Sequence, residues 1–182
     1  MKELKQEFFS RDAVTVAKEL LGKIISVNGM KARIVETEAY GRDKASHAYK
    51  KTERSKIMYD TFGHVYVYLI YGMHYCLNFT TNKKEAGAVL IRAVEPLEGI
   101  NHMKKNRRTD DIKNLCNGPG KVCQALGIDK KYNGLELGNK IKLFDDNFKI
   151  TKIQSSSRIG IKDDQHLQWR FYIKMNSFVS KK

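Results

Sequence analysis

The chain has 182 residues, and its 34 Lys and Arg against 20 Asp and Glu give a formal charge of +14 at pH 7. This charge indicates a polyanionic partner, nucleic acid first and an anionic membrane surface second. The apolar run at residues 65–73 is far shorter than the roughly 20 residues of a membrane span, and no apolar signal region follows the first residues. Three cysteines without CxxC spacing argue against a disulfide framework and a zinc site. We therefore expect a soluble intracellular protein with reduced, partly buried thiols.

The first half of the chain predicts one helix and two antiparallel strand pairs. Ser10 can cap a helix from about Arg11 to Leu21, with Gly22 at its end. Asn28-Gly29 is the dipeptide preferred by two-residue type I′ hairpins, and a second strand pair surrounds Gly72, with Tyr71 near its turn. The four predicted strands are Ile24–Val27, Met30–Glu38, Val65–Tyr71 and Tyr75–Thr80.

The second half predicts further helices and short strands. The helices are Leu97 to about Asn106, Ile112–Cys116, and one between Pro119 at its first turn and Gly127 at its end. The strands are Ala88–Val94, Ile141–Phe144, Phe148–Thr151, Arg158–Ile161 and Arg170–Ile173. We expect the α+β class: one domain over residues 1–182, with a curved antiparallel β-sheet core, surrounding helices and a protruding β-hairpin.

Two carboxylates end a strand face that is otherwise apolar. Glu36 and Glu38 continue the face that carries Met30, Ala32 and Ile34. The opposite face, expected to be the more hydrated one, carries Lys31, Arg33, Val35 and Thr37. A partly desolvated carboxylate pair is typical of sites that activate water, which suggests hydrolytic chemistry. In the alternative, the strand simply emerges into solvent at Glu36, or a basic neighbour pairs with it.

Aromatic residues crowd a short stretch of this basic chain: Tyr40, Tyr66, Tyr68, Tyr71 and Tyr75. Rings among basic residues can hold unstacked bases, although tyrosines in strands also join the core of a sheet. Tyr71 stands beside a glycine turn and next to Met73, so it could insert between base steps, with core packing as the alternative.

Other polar motifs are open to two interpretations. Gly118-Pro119-Gly120-Lys121 opens a predicted helix and could bind a phosphate, or it is an ordinary helix start. His47 has no second His or Cys at metal-ligand spacing, so a packed or hydrogen-bonded histidine is the simpler interpretation. Each basic pair alone is solvated surface, and only their sum makes phosphate contact credible. These pairs are Lys50-Lys51, Lys104-Lys105, Arg107-Arg108 and Lys130-Lys131.

Six segments in order resemble the alkyladenine (3-methyladenine) DNA glycosylase family. They are VETEAY at 35–40, VYVYLIYGMHYCLN at 65–78, VLIRA at 89–93, NGPGK at 117–121, RIG at 158–160 and WRFY at 169–172. The resemblance covers nearly the whole chain. It implies a monofunctional glycosylase of base excision repair that flips a damaged purine out of double-stranded DNA and hydrolyses its bond to deoxyribose. The implied bases are 3-methyladenine, 7-methylguanine, hypoxanthine and etheno-adenine.

The resemblance also implies roles for single residues. Glu38 activates the attacking water and Arg92 orients it, while Tyr40, His47 and Tyr68 enclose the flipped base. Asn78 lies in the pocket and disfavours guanine, and Tyr71 enters the minor groove. We also expect Met73, Arg54 and Lys121 to contact DNA.

The resemblance requires no metal or cofactor, and we expect a monomer in the bacterial cytoplasm. Two rival functions stay open. One is a non-catalytic nucleic-acid-binding module, for which the charge and the tyrosines would suffice. The other is a bifunctional glycosylase with lyase activity, in which a lysine attacks C1′.

Overall fold

A computed structural model describes residues 1–81 and 85–180 of the chain. Its described strands form one antiparallel sheet in the order β1-β7-β2-β3-β6-β5-β4, and β9 pairs with both β3 and β8. The strands are β1 (Lys2–Glu3), β2 (Ile24–Val27), β3 (Met30–Tyr40), β4 (Val65–Ile70), β5 (His74–Thr81), β6 (Gly87–Glu98), β7 (Lys142–Asp145), β8 (Ile153–Ser156) and β9 (Arg170–Ile173). The predicted α+β class is confirmed.

Four α-helices pack around this sheet in the part of the chain that is described. They are α1 (Ala13–Leu20), α2 (Lys56–Asp60), α3 (Ile100–Arg107) and α4 (Pro119–Leu126). Short 3-10 helices lie at Gln6–Phe9, His47–Tyr49, Ile112–Asn114 and Lys130–Tyr132. Helix α1 packs on β3 and β6, and α4 packs on β5, β6 and α3. The main core lies between the sheet and helices α1, α3 and α4, because α1 and α4 each bury a row of apolar side chains against it.

Several local predictions are confirmed because their signals are purely local. Asn28 and Gly29 have φ of 52° and 73°, the left-handed values that a type I′ turn requires, and β2 pairs with β3 around them. Strands β4 and β5 pair across a turn that contains Tyr71. Helix α4 begins at Pro119 and ends at Gly127, and β9 spans the predicted residues.

Helix boundaries were predicted less well. Asp12, not Ser10, caps α1 by accepting from Thr15 N at 2.9 Å, whereas the Ser10 hydroxyl donates to Glu7 O in the preceding turn. The helix expected from Leu97 begins at Ile100, because β6 continues to Glu98 and Gly99 turns the chain with φ 74°. The segment predicted as a helix at 112–116 is a 3-10 helix at Ile112–Asn114.

Two predicted strands are wrong. Residues 148–151 form no strand, and the Phe148 ring instead packs 4.0 Å from the Arg33 guanidinium. Residues 158–161 form a turn with Gly160 at φ 78°. Its Ile159 N–H donates to a side chain rather than to a neighbouring strand. Periodicity alone does not separate such apolar loops from short strands.

Strand β3 is buried on both faces, which corrects the expectation of a hydrated side. Val35 and Thr37 are fully buried and Arg33 is 9% exposed. Helix α1 covers this face, since the Thr37 hydroxyl donates to Ala17 O at 2.8 Å. The described residues contain no helix that is long and apolar enough to cross a membrane.

Candidate active site

A cavity of about 380 Å³ opens where β4, β5 and β6 meet the end of β3. Five residues that the resemblance places at the flipped base or the water line it: Tyr40, His47, Tyr68, Asn78 and Arg92. They come from four adjacent strands, in the order β3-β6-β5-β4, and from the 3-10 helix at His47–Tyr49, so the sheet register brings them together. Tyr75 does not line the cavity and packs against the main core. The size of the cavity is within the range of small-molecule sites.

Aromatic rings form one wall of the cavity. The His47 ring lies 4.7 Å from the Tyr68 ring at an interplanar angle of 69°, and His47 Nδ1 is 2.8 Å from the Tyr66 hydroxyl. Burial, together with the nearby charge of Arg54, lowers the pKa of His47. The ring is therefore neutral at pH 7. Tyr66 belongs to a small buried cluster, as the core interpretation held, yet its hydroxyl also orients His47.

Tyr40 is held from behind by a buried arginine. The Arg158 guanidinium carbon lies 4.7 Å from the Tyr40 ring centre, and Arg158 pairs with Asp43 at 2.7 Å. The Tyr40 hydroxyl donates to Glu38 Oε2 at 2.7 Å. Burial and the charge of Glu38 raise the pKa of Tyr40 well above its usual range, so the hydroxyl stays a donor. Sequence reasoning noted Arg158 only as part of a motif.

Glu38 is fully buried directly behind the cavity wall. Its Oε1 accepts from Ile159 N at 2.7 Å and lies 3.3 Å from Arg92 Nη1. Glu38 does not itself line the cavity, whereas Tyr40, Arg92 and Ile159 do. The carboxylate therefore lies immediately behind the lining residues, in direct contact with all three.

Glu36 joins the same charged group. Its Oε1 accepts from Arg92 Nε at 3.0 Å and from Arg170 Nε at 2.7 Å. Burial disfavours the charged form of Arg92, but Glu38 and Glu36 outweigh it and raise the pKa of Arg92. The structure therefore agrees with the alternative interpretation of Glu36, in which basic neighbours pair with its carboxylate. Arg92 thus bridges two buried carboxylates and lines the cavity.

Asn78 and Cys76 lie side by side on the cavity floor. Asn78 Nδ2 donates to Tyr66 O at 3.1 Å and to Cys76 O at 3.3 Å, which fixes the amide. Cys76 is 2% exposed, and burial raises the pKa of its thiol to about 11. Cys116 and Cys123 are also buried, so the thiols are more deeply buried than the sequence suggested. No sequence signal distinguishes Cys76 from the other two.

The turn between β4 and β5 projects beside the cavity. Tyr71 is 79% exposed and Met73 is 69% exposed, as an exposed hairpin tip requires. Tyr71 has φ 52°, a left-handed value that is uncommon for a bulky residue. Gly120 lets α4 approach the hairpin, since a Cβ there would lie 3.1 Å from His74 Cβ.

Arg54 and Lys121 occupy different positions around this face. Arg54 lines the cavity, with its guanidinium carbon 5.2 Å from the Tyr68 ring centre. The Lys121 amine donates to Asn114 Oδ1 and, at 2.8 Å, to Asn117 Oδ1. The Lys121 amine is therefore held by the segment that precedes α4, whereas Arg54 faces the cavity mouth. Across residues 1–81 and 85–180, no three His, Cys, Asp or Glu side chains group closely enough to hold a metal ion.

Comparison with known proteins gives full-length matches. The model of the family described as "Methylpurine-DNA glycosylase (MPG)" matches residues 7–177. A protein of Clostridium novyi named "Putative 3-methyladenine DNA glycosylase" is 49% identical, with 100% of both chains covered. Proteins with the same name from Desulfitobacterium hafniense and Rhizobium johnstonii are 43% and 44% identical. The match to the Desulfitobacterium hafniense protein covers 100% of both chains, and the match to the Rhizobium johnstonii protein covers 98% of this chain and 90% of that protein.

Proposed function

The chain belongs to the methylpurine-DNA glycosylase family and is a DNA N-glycosylase of base excision repair, and we propose that Glu38 activates its hydrolytic water. The observation that carries the proposal is the buried Glu38 carboxylate, held behind the wall of a purine-sized cavity by contacts to Tyr40 and Arg92. The proposed substrates are 3-methyladenine, 7-methylguanine, hypoxanthine and etheno-adenine in double-stranded DNA.

The proposed first step is extrusion of the damaged nucleotide. A base inside the duplex cannot reach a cavity that lies beside a projecting hairpin, so it must rotate out of the stack. The exposed ring of Tyr71 can occupy the gap, with Met73 beside it. Arg54 at the cavity mouth and Lys121 in the first turn of α4 supply cations for the neighbouring phosphates. The net charge of +14 favours this encounter at low salt.

The second step is recognition of the base inside the cavity. Tyr40 and Tyr68 offer ring faces for stacking, and neutral His47 offers a polar edge. Alkylation can place positive charge on a purine, which strengthens stacking on tyrosine rings and improves the leaving group. The fixed amide of Asn78 lies on the floor, where the exocyclic amino group of guanine would meet it. These contacts select damaged bases before any bond breaks.

The third step is hydrolysis at C1′. The sugar passes through an oxocarbenium-like transition state, which an adjacent carboxylate stabilises while it accepts a proton from the attacking water. Ile159 N, Tyr40 and Arg92 provide three contacts to the Glu38 carboxylate within the described part of the chain. A carboxylate has about four acceptor positions, so one is left for water. Arg92 lines the cavity and can orient that water.

The cavity favours a monofunctional enzyme over the lyase alternative. A lyase needs an amine that attacks C1′. The described residues that line the cavity include Arg54 and Arg92 but no lysine. Water is therefore the proposed nucleophile. We also propose that the protein is a monomer that acts on the DNA of the bacterial cytoplasm.

Single-turnover incubation with duplexes that each carry one defined base tests the proposal. Hypoxanthine and 7-methylguanine duplexes should yield alkali-cleavable abasic sites, and a matched guanine duplex should not. Without alkali the strands should stay intact, and borohydride should trap no covalent complex. If neither damaged base is released, the substrate assignment is wrong, and a borohydride-trapped complex would refute the monofunctional mechanism.

A further inference from the structure

The C-terminal segment returns to the charged group behind the cavity. Ser180 N donates to Glu36 Oε2 at 2.6 Å, and the Ser180 hydroxyl donates to Glu36 Oε1 at 2.8 Å. Glu36 is fully buried and also accepts from Arg92 and Arg170. The family match ends at residue 177, so Ser180 lies outside the matched region.

We infer that Ser180 is a positioning residue for the excision reaction, acting through Glu36 on Arg92. The inference rests on the proposed function, in which Arg92 serves the water-activating Glu38. Ser180 does not line the cavity, and its backbone N–H and its hydroxyl both donate to Glu36. Its effect on chemistry must therefore pass through the Glu36 carboxylate.

The physical reason is competition between two carboxylates for one guanidinium. Arg92 donates to Glu36 through Nε at 3.0 Å, while its Nη1 lies 3.3 Å from Glu38 Oε1. A fully buried carboxylate must be satisfied by several donors. With Ser180 in place, Glu36 Oε2 accepts from the backbone N–H of Ser180. Glu36 Oε1 accepts from the Ser180 hydroxyl, from Arg92 and from Arg170. Without the hydroxyl, Arg92 turns further toward Glu36 and away from Glu38.

The segment is held in place by its own contacts. Val179 is 8% exposed and belongs to the main core, and Phe178 packs against that core. Asn176 Nδ2 donates to Glu95 Oε2 at 3.1 Å, while Asn176 Oδ1 accepts from Phe178 N at 2.9 Å. Ser180 is thus presented to Glu36 by an anchored backbone, as a positioning role requires.

Three variants separate a positioning role of Ser180 from a role in folding: Ser180→Ala, Ser180→Thr and Ser177→Ala. Ser177 is exposed three residues upstream, so its alanine variant is the matched control. Ser180→Ala should slow single-turnover base release about tenfold, which is near the lower end of what one hydrogen bond to a charged group contributes. Its affinity for abasic-site duplex should stay within about twofold, because the cavity is untouched. Ser180→Thr keeps the hydroxyl and should restore the rate.

A second comparison tests the route through Glu36. If Ser180 acts through that carboxylate, Ser180→Ala should slow a Glu36→Gln enzyme by much less than tenfold, because the acceptor charge is gone. The inference is overturned if Ser180→Ala reacts at the wild-type rate, if Ser180→Thr is equally slow, or if abasic-site affinity falls with the rate. The Ser180 series stands even if Glu36→Gln fails to fold. A Glu38→Gln enzyme as active as the wild type would instead refute the proposed function.

Discussion

Replacing the exposed ring of Tyr71 should weaken DNA binding without weakening the fold. The ring is 79% exposed, so its loss removes little buried surface. If it fills the gap left by an extruded base, the loss is about 1–3 kcal/mol of stacking, or roughly 5- to 150-fold in affinity. Tyr71→Ala and Tyr71→Gly should lose it equally, and Tyr71→Phe should keep most of it.

The backbone of Tyr71 distinguishes these variants by stability. At φ 52°, a residue with a Cβ is strained by about 1–2 kcal/mol, whereas glycine is not. Glycine also adds about 0.4–1 kcal/mol of entropy to the unfolded chain, which offsets part of that gain. The Gly variant should therefore be more stable than the Ala variant by roughly 0.5–1 kcal/mol. In a chain of this length, that difference corresponds to a Tm about 1–4 °C higher.

Fluorescence anisotropy with an abasic-analogue duplex, compared with an undamaged duplex, measures the first effect, and thermal unfolding measures the second. Wild-type affinity in both Tyr71→Ala and Tyr71→Gly would show that Tyr71 is not the wedge. A Tm no higher for Gly than for Ala would refute the strain argument. The two results are independent, because one concerns the ring and the other the backbone.

Three further predictions concern Glu38, His47 and the cysteines. Glu38→Gln should slow single-turnover base release by about 10²–10⁴-fold with DNA affinity kept, because an amide cannot accept the proton. The control is Glu98→Gln, at an exposed position, which should react at the wild-type rate. A wild-type rate for Glu38→Gln would show that Glu38 is not the base. Burial and the charge of Arg54 lower the pKa of His47, so the unfolded chain takes up its proton first as pH falls, and stability is lost below about pH 6.5. The fall in Tm between pH 7.5 and 5.5 should be smaller in His47→Asn, and equal falls would contradict this sign. Burial raises the thiol pKa of Cys76 to about 11 and of Cys116 to about 12. Native protein at pH 8 should therefore resist thiol reagents, whereas unfolded protein should react at all three cysteines. Rapid labelling of the native protein would contradict this prediction.

The reliability of the sequence predictions followed the range of the interactions behind them. The Asn28-Gly29 turn and the Pro119 and Gly127 helix ends depend on residues within a few positions, and they are confirmed. Residues 148–151 and 158–161 have strand-like composition but lie in loops, because distant side chains take their contacts. Local composition contains no record of such partners.

The candidate site divides in the same way. The resemblance named Glu38, Tyr40, His47, Tyr68, Asn78 and Arg92, and the fold brings all six to one cavity or directly behind it. Sequence reasoning did not identify Arg158 behind Tyr40 or Ser180 on Glu36, which lie more than 110 residues away from their partners along the chain. Their residue types alone would not have revealed them, since most arginines and serines lie on protein surfaces.

By itself, the sequence determined the family, the nucleic-acid partner implied by the charge, the hairpin turns and the residue types available for chemistry, since these depend on composition and short-range order. Only the tertiary structure decided that Glu36 and Glu38 would both be buried and share Arg92. That outcome depends on β6 and β9 pairing with β3 and on α1 covering its other face. Charge pairing and desolvation are set by neighbours in space, and the chain order does not specify those neighbours until the sheet has formed.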